Sequence, residues 1–193
     1  MKSISVFCAS RLGKDLIYAQ VASEVGRLLA KNGYQIIYGG GKVGLMGKVA
    51  DAAIGAGGKV IGVIPRFLDK LEVAHQGLDQ LILVESMHER KLKMLELSDI
   101  VLTLPGGFGT LEELTEMLTW SQLDLHQKPI GILNVNGYYD NMEKLFDSML
   151  EKDFLKEDNR RLAIFDKSIE RLLARLENHP VSQSQHSLDK DKT

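Results

Sequence analysis

A chain of 193 residues, 44% hydrophobic and with a formal net charge of −2, has the bulk of one globular domain with a sizeable core. That balance argues against a polybasic surface for nucleic acid or membrane, and no apolar run is long enough to span a bilayer. The single cysteine, Cys8, excludes an internal disulfide, and the chain enters strand-like Ile4-Ser5-Val6-Phe7 with no export signal, so a cytoplasmic setting is expected.

Strands and helices alternate along the chain. A strand is expected near Ile4–Cys8, a helix over Tyr18–Leu29, a strand at Gln35–Tyr38 and a helix over Leu45–Ile54. Strands follow near Val60–Ile64 and Leu81–Val84, then a helix over Met87–Leu97, a strand at Ile100–Thr103 and a helix over Leu111–Leu123. Ile130–Val135 reads as strand and Tyr139–Leu150 as helix, with Leu162–Phe165 and Ile169–Leu176 as a closing strand and helix. Alternation of this kind predicts an α/β fold: one Rossmann-like, doubly wound domain over residues 1–177 whose parallel sheet is flanked by helices. Right-handed crossovers then put functional loops at the carboxyl edge of the strands. From Asn178 the sequence is polar, and residues 178–193 are expected to form a disordered tail.

Two glycine clusters stand between a strand and a helix. In Tyr38-Gly39-Gly40-Gly41-Lys42-Val43-Gly44, Gly39, Gly41 and Gly44 meet the dinucleotide spacing G-x-G-x-x-G. The next strand, however, ends in Ile64-Pro65-Arg66 rather than in the acid that holds ribose hydroxyls. A phosphorylated ligand is expected at this turn; NADP would need Arg66 to hold a 2′-phosphate. The second cluster, Leu104-Pro105-Gly106-Gly107-Phe108-Gly109-Thr110-Leu111-Glu112-Glu113, joins a buried strand to a helix, where close backbone approach and the first-turn N–H groups create an anion site.

Glu113 has two readings. With Thr110 it forms T-x-x-E, the reciprocal capping box of a helix start. It also shares a helical stripe with Thr110, Met117 and Trp120, a partly apolar setting in which a carboxylate is available for chemistry, whereas Glu112 lies with Glu116 and Thr119 on another face. The functional reading is preferred. Upstream, Arg90 falls in line with Met87, Met94 and Leu97, so its guanidinium is expected at the adjacent loop edge, ready for a phosphate or carboxylate. The alternative is a surface Arg90–Lys91 pair bridged to Glu85 or Glu89. His75, His88 and His126 have no companions at ligand spacing, so no metal is expected.

Met87-His88-Glu89-Arg90-Lys91 followed by Pro105-Gly106-Gly107-Phe108-Gly109-Thr110-Leu111-Glu112-Glu113 resembles the LONELY GUY family of cytokinin riboside 5′-monophosphate phosphoribohydrolases, often labelled lysine decarboxylases. Gly39-Gly40-Gly41-Lys42-Val43-Gly44-Leu45-Met46-Gly47 and Leu133-Asn134-Val135-Asn136-Gly137-Tyr138-Tyr139 match further family segments. One departure is Cys8-Ala9-Ser10-Arg11, where relatives commonly carry Cys-Gly-Ser-Ser. The resemblance implies hydrolysis of the N-glycosidic bond of a purine nucleoside 5′-monophosphate, without a cofactor, by an oligomer that is a dimer at least. It leaves open whether the base is adenine or an N6-modified adenine, and which group is the general acid. It implies Arg90 and Glu113 as catalytic residues. Substrate contacts are implied for Ser10, Gly41, Gly44, Glu72, Met87, Arg90, Lys91, Gly107, Phe108, Gly109, Thr110, Leu111, Glu112, Glu113 and Thr119. No lysine stands in a context that suggests a pyridoxal phosphate Schiff base. The competing class of function is a carrier that holds a nucleotide or phosphorylated cofactor without reacting it. Such a carrier needs the glycine turns but neither Glu113 nor Arg90.

Overall fold

A computed structural model of the chain describes residues 2–68 and 74–179. Its seven strands are β1 (Ser3–Phe7), β2 (Gln35–Tyr38), β3 (Lys59–Pro65), β4 (Gln80–Val84), β5 (Ile100–Thr103), β6 (Ile130–Leu133) and β7 (Ala163–Asp166). All described pairings between them are parallel, in the order β4-β3-β2-β1-β5-β6-β7. The inner strands are buried along nearly their whole length and rich in Val, Ile and Leu because helices cover both of their faces, while the edge strand β4 leaves Leu81 and Leu83 partly exposed.

The helices are α1 (Leu16–Lys31), α2 (Gly44–Gly55), α3 (Met87–Leu97), α4 (Phe108–Gln122), α5 (Asp140–Glu151), the single turn α6 (Glu157–Arg160) and α7 (Ile169–Glu177). One face of the sheet is packed by α1, α2 and α7, through Val25, Leu29, Val49 and Leu172 against Ile4, Val6 and Ile36. The other is packed by α3, α4 and α5, through Met94, Leu114, Met117 and Phe146 against Phe7, Val101 and Ile132. Burying a side chain of this size contributes about 1.5–3 kcal/mol, so each helix is held by its apolar stripe rather than by propensity.

Three local expectations are corrected. The helix after the second glycine cluster begins at Phe108 rather than Leu111, because Gly107 in extended geometry is its N-cap. The strand expected to reach Val135 stops at Leu133, whose pairing with Asp166 is the last of that ladder, and a 3-10 turn, Val135–Gly137, follows. The turn α6 has no apolar periodicity and was not expected at all. The residues from 180 onward lie outside the described part, as does Glu72.

The chain leaves β1 toward β2 on one side and leaves β5 toward β6 on the other. The carboxyl ends of β1 and β5 therefore flank the point where the strand order reverses, which is where open α/β sheets hold ligands. The last β1–β5 pair is Phe7 with Thr103, and the Ala9 N–H continues across the gap to the Pro105 carbonyl at 3.1 Å.

Candidate active site

At that reversal lies a cavity of about 300 Å³. Its floor is the end of β1, Val6 to Arg11. One wall is Gly39 and Met46 from around the first glycine turn, another is Met87 and Arg90 of α3, and the last is Gly107 to Thr110 with Glu113 of α4. The expected residues Ser10, Met87, Arg90, Gly107, Phe108, Gly109, Thr110 and Glu113 are thus brought together.

The glycine turn is built around its N–H groups. Gly107 offers no side chain to cap α4, so the N–H groups of Phe108, Gly109 and Thr110 begin the helix with no side-chain cap, beside the cavity. A Cβ at Gly106 would lie 2.0 Å from Thr110 Oγ1, so this glycine is demanded by packing. Gly107 and Gly109 are different: a Cβ at either meets nothing within 4 Å, and neither has a positive φ. The protein's own packing has no need of glycine at those two positions. The turn is held from behind by Tyr138, whose hydroxyl donates to the Gly106 carbonyl at 2.6 Å, and by Tyr139, whose hydroxyl donates to Leu104 O at 2.9 Å.

Glu113 is 8% exposed, in the second turn of α4, on one buried stripe with Thr110 and Met117. The capping-box alternative is overturned, because Thr110 is three residues inside the helix rather than at its N-cap. Arg90 is 4% exposed and its Nη2 donates to the Gly39 carbonyl at 2.9 Å, with Nη1 3.8 Å from Met87 Sδ. A Cβ on Gly39 would stand 1.8 Å from that Nη2, so the first glycine cluster makes room for an arginine of α3. The surface-pair alternative for Arg90 and Lys91 therefore fails: it is Arg66 that bridges to Glu85, at 2.8 Å, and this occupies the side chain an NADP site would have needed.

Cys8 lies in the same wall. Burial, then the nearby Glu113 charge, push its thiol far above the ordinary range, and Arg90 only partly offsets them. It stays a neutral thiol and is no nucleophile.

Several expected contacts lie elsewhere. Lys91 is buried but points away from the cavity, pairing with Glu112 and, at 2.8 Å, with Glu116. Burial alone would lower its pKa, but the hydrogen bonds it donates to both carboxylates outweigh that and raise it. An ammonium held this firmly is the opposite of what a Schiff-base lysine needs. Glu112 is spent on that pair, and Leu111 and Thr119 are not among the cavity residues; the Thr119 hydroxyl donates to Thr115 O at 2.7 Å. Gly41 and Gly44 support the cavity from behind, Gly41 through a bridge to Ala74. Cys8, Met46 and Leu68 line the site without having been singled out as contacts, beside Gly39 of the first glycine turn, where a phosphorylated ligand is expected. Among the described residues no cluster of three or more His, Cys, Asp or Glu is placed to hold a metal, and no helix is long and apolar enough to cross a membrane.

The fold and cavity define a Rossmann-like protein with a small cavity at its switch point. Among solved structures, a molybdenum cofactor binding protein from Rippkaea orientalis matches with a TM-score of 0.67 at 22% identity, over 91% of this chain and 95% of that one. The molybdenum cofactor carrier protein of Chlamydomonas reinhardtii matches at 0.66 and 20%, over 91% and 96%. At such identities the likeness is one of fold. The model of the family described as "possible lysine decarboxylase" matches residues 46–176. The cytokinin riboside 5′-monophosphate phosphoribohydrolase LOG of Oryza sativa subsp. japonica is 42% identical over 92% of this chain and 74% of its own length. Its Arabidopsis thaliana counterpart LOG1 is 40% identical over 92% and 84%. The chain belongs to the LONELY GUY family.

Proposed function

We propose that this chain hydrolyses the N-glycosidic bond of a purine nucleoside 5′-monophosphate, releasing the free base and ribose 5-phosphate. The observation that carries the reading is the pairing of two glycines that packing does not require, Gly107 and Gly109, with a buried carboxylate two turns or less away in the same wall. The 5′-phosphate sits on the N–H groups of Phe108 to Thr110. Held there, the nucleotide is anchored at a point remote from the bond that breaks, and the anchor fixes the ribose against Glu113. As the bond to the base lengthens, positive charge develops at the anomeric carbon. The Glu113 carboxylate stabilises that charge and orients the attacking water. Arg90, held on Gly39, positions the nucleotide. Met87, Met46 and Leu68 give the cavity an apolar side for a base. The protein works in the cytoplasm as a homodimer or larger homo-oligomer, on a small molecule rather than on nucleic acid or membrane.

The test is base release from AMP and from isopentenyladenosine monophosphate, by wild type and Glu113→Gln. Wild type should release base and Glu113→Gln should lose about a thousandfold in kcat with binding retained, in line with the loss of one preorganised charge-stabilising group. Tight monophosphate binding by wild type with no base released would instead make the protein a carrier.

A further inference from the structure

The loop after β1 is clamped on both sides. The Ala9 carbonyl accepts from the N–H groups of Leu45 at 3.0 Å and Met46 at 3.3 Å, and the Ala9 N–H donates to Pro105 O. On the next peptide, Gly44 presses so closely that a Cβ there would lie 2.2 Å from the Ser10 carbonyl carbon and 2.4 Å from the Arg11 nitrogen, at a φ of +66° that already favours glycine. The backbone that carries Arg11 is thereby fixed between the two glycine turns, one of which begins at Pro105. Arg11 itself borders the cavity together with Gly107, Phe108, Gly109 and Thr110. Arg11 is exposed, and among the described residues no carboxylate or carbonyl holds it. The other arginine of the cavity, Arg90, is by contrast anchored on Gly39. A long, cationic side chain on a rigid base, in the lining of a small cavity that also includes the first turn of α4, is long enough to reach an anion seated on that turn's N–H groups.

We propose that Arg11 is a phosphate ligand of this site: its guanidinium takes the oxygens of the 5′-phosphate that the N–H groups of Phe108 to Thr110 leave free. The assignment rests on the phosphate seat described under the proposed function, and it makes the charge on the substrate, rather than the base, the main determinant of affinity. A contact remote from the bond that breaks persists from ground state to transition state, so it lowers KM without raising kcat.

The experiment is calorimetric titration of wild type, Arg11→Ser and Arg11→Lys with AMP, adenosine and inorganic phosphate, beside base release from AMP. Arg11→Ser should weaken AMP about tenfold, as expected for loss of a charge-assisted hydrogen bond at a partly exposed site. Adenosine binding should not change, Arg11→Lys should recover part of the loss, and KM should rise with kcat within about twofold. Unchanged AMP affinity in Arg11→Ser overturns the assignment. So does an equal loss for AMP and adenosine, which would place Arg11 on the base or ribose. If wild type binds AMP with this dependence on Arg11 but releases no base, Arg11 stands as the phosphate ligand and the hydrolase reading falls.

Discussion

Gly109 sets stability against function at a single atom. It lies in the first turn of α4 with open space where a Cβ would be and no positive φ, so glycine there costs the helix about 0.5–1 kcal/mol relative to alanine. A Cβ beside the first N–H groups would obstruct the anion. Gly109→Ala is therefore expected to raise stability by about 0.5–1 kcal/mol in urea denaturation while weakening AMP at least tenfold. A variant that gained stability and kept full affinity would show that the phosphate does not sit on this turn. The sequence made the cluster conspicuous but could not separate its glycines. Gly106 is required by Thr110, and Gly107 and Gly109 are required by nothing in the protein, a distinction that only the surrounding atoms reveal. The same lack of a side chain hid the helix start: Gly107 caps α4 without the Ser, Thr, Asp or Asn that marks such a position, so Thr110 looked like the cap.

At the scale of elements, α3 and α4 carry the two buried charges of the site and are strapped together one residue away from each. Lys91, adjacent to Arg90, reaches Glu112, adjacent to Glu113, and also Glu116 one turn on. Its action is indirect: it holds two helices in the register that brings guanidinium and carboxylate to one cavity. Removing one partner of a fully buried pair costs about 3–5 kcal/mol. Glu112 is half exposed and can return to water, so Lys91→Met should cost only about 1–2 kcal/mol of stability. Its larger effect should be on kcat, down about tenfold with KM for AMP little changed, and Lys91→Arg should restore much of it. A rise in KM with normal kcat would return Lys91 to the substrate. Helix α3 was legible to the residue at both ends, because Ser86 accepts from the Glu89 N–H and marks its start. The direction of Lys91 was not. Spacing said which face it was on, but not that two carboxylates of another helix waited there.

The whole molecule explains what sequence could and could not show. Alternating apolar runs told the layers and nearly every strand, since each is a local pattern. The cavity is assembled from five separate segments, and which of them meet depends on β1 lying beside β5, nearly a hundred residues apart. No local signal carries that pairing, so Cys8 and Met46 escaped notice as contacts while the glycine turns did not. The fold also joins distant groups into a pH response. His126 lies buried between α4 and β6, with Nε2 on the Met117 carbonyl at 2.9 Å and Nδ1 accepting the Lys128 N–H at 3.1 Å. That places the proton on Nε2 and leaves no room for a second one. Burial lowers its pKa below the ordinary 6.5, against the raising effect of the Met117 hydrogen bond and with help from Lys128. The sign follows. Below pH 6.5 the unfolded chain takes up a proton that the folded one refuses, so the stability His126 provides is complete above pH 6.5 and is lost as pH falls toward its folded pKa. Asp166 adds a second, lower step. Although burial raises its pKa, hydrogen bonds from Arg171 and Ser168 hold it below 3.8, so its contribution is present above that value and disappears as pH falls through the folded pKa. His179, whose pKa burial also lowers, adds to the first step. Melting curves should thus show Tm declining in two stages, the first beginning near pH 6.5 with a slope of at most about 1.4 kcal/mol per pH unit for each histidine. His126→Gln, which keeps a donor for Met117, should be less stable at pH 7.5 yet show a smaller first stage and keep the second. An unchanged decline between pH 6.5 and 5 in that variant would assign the first stage to another group.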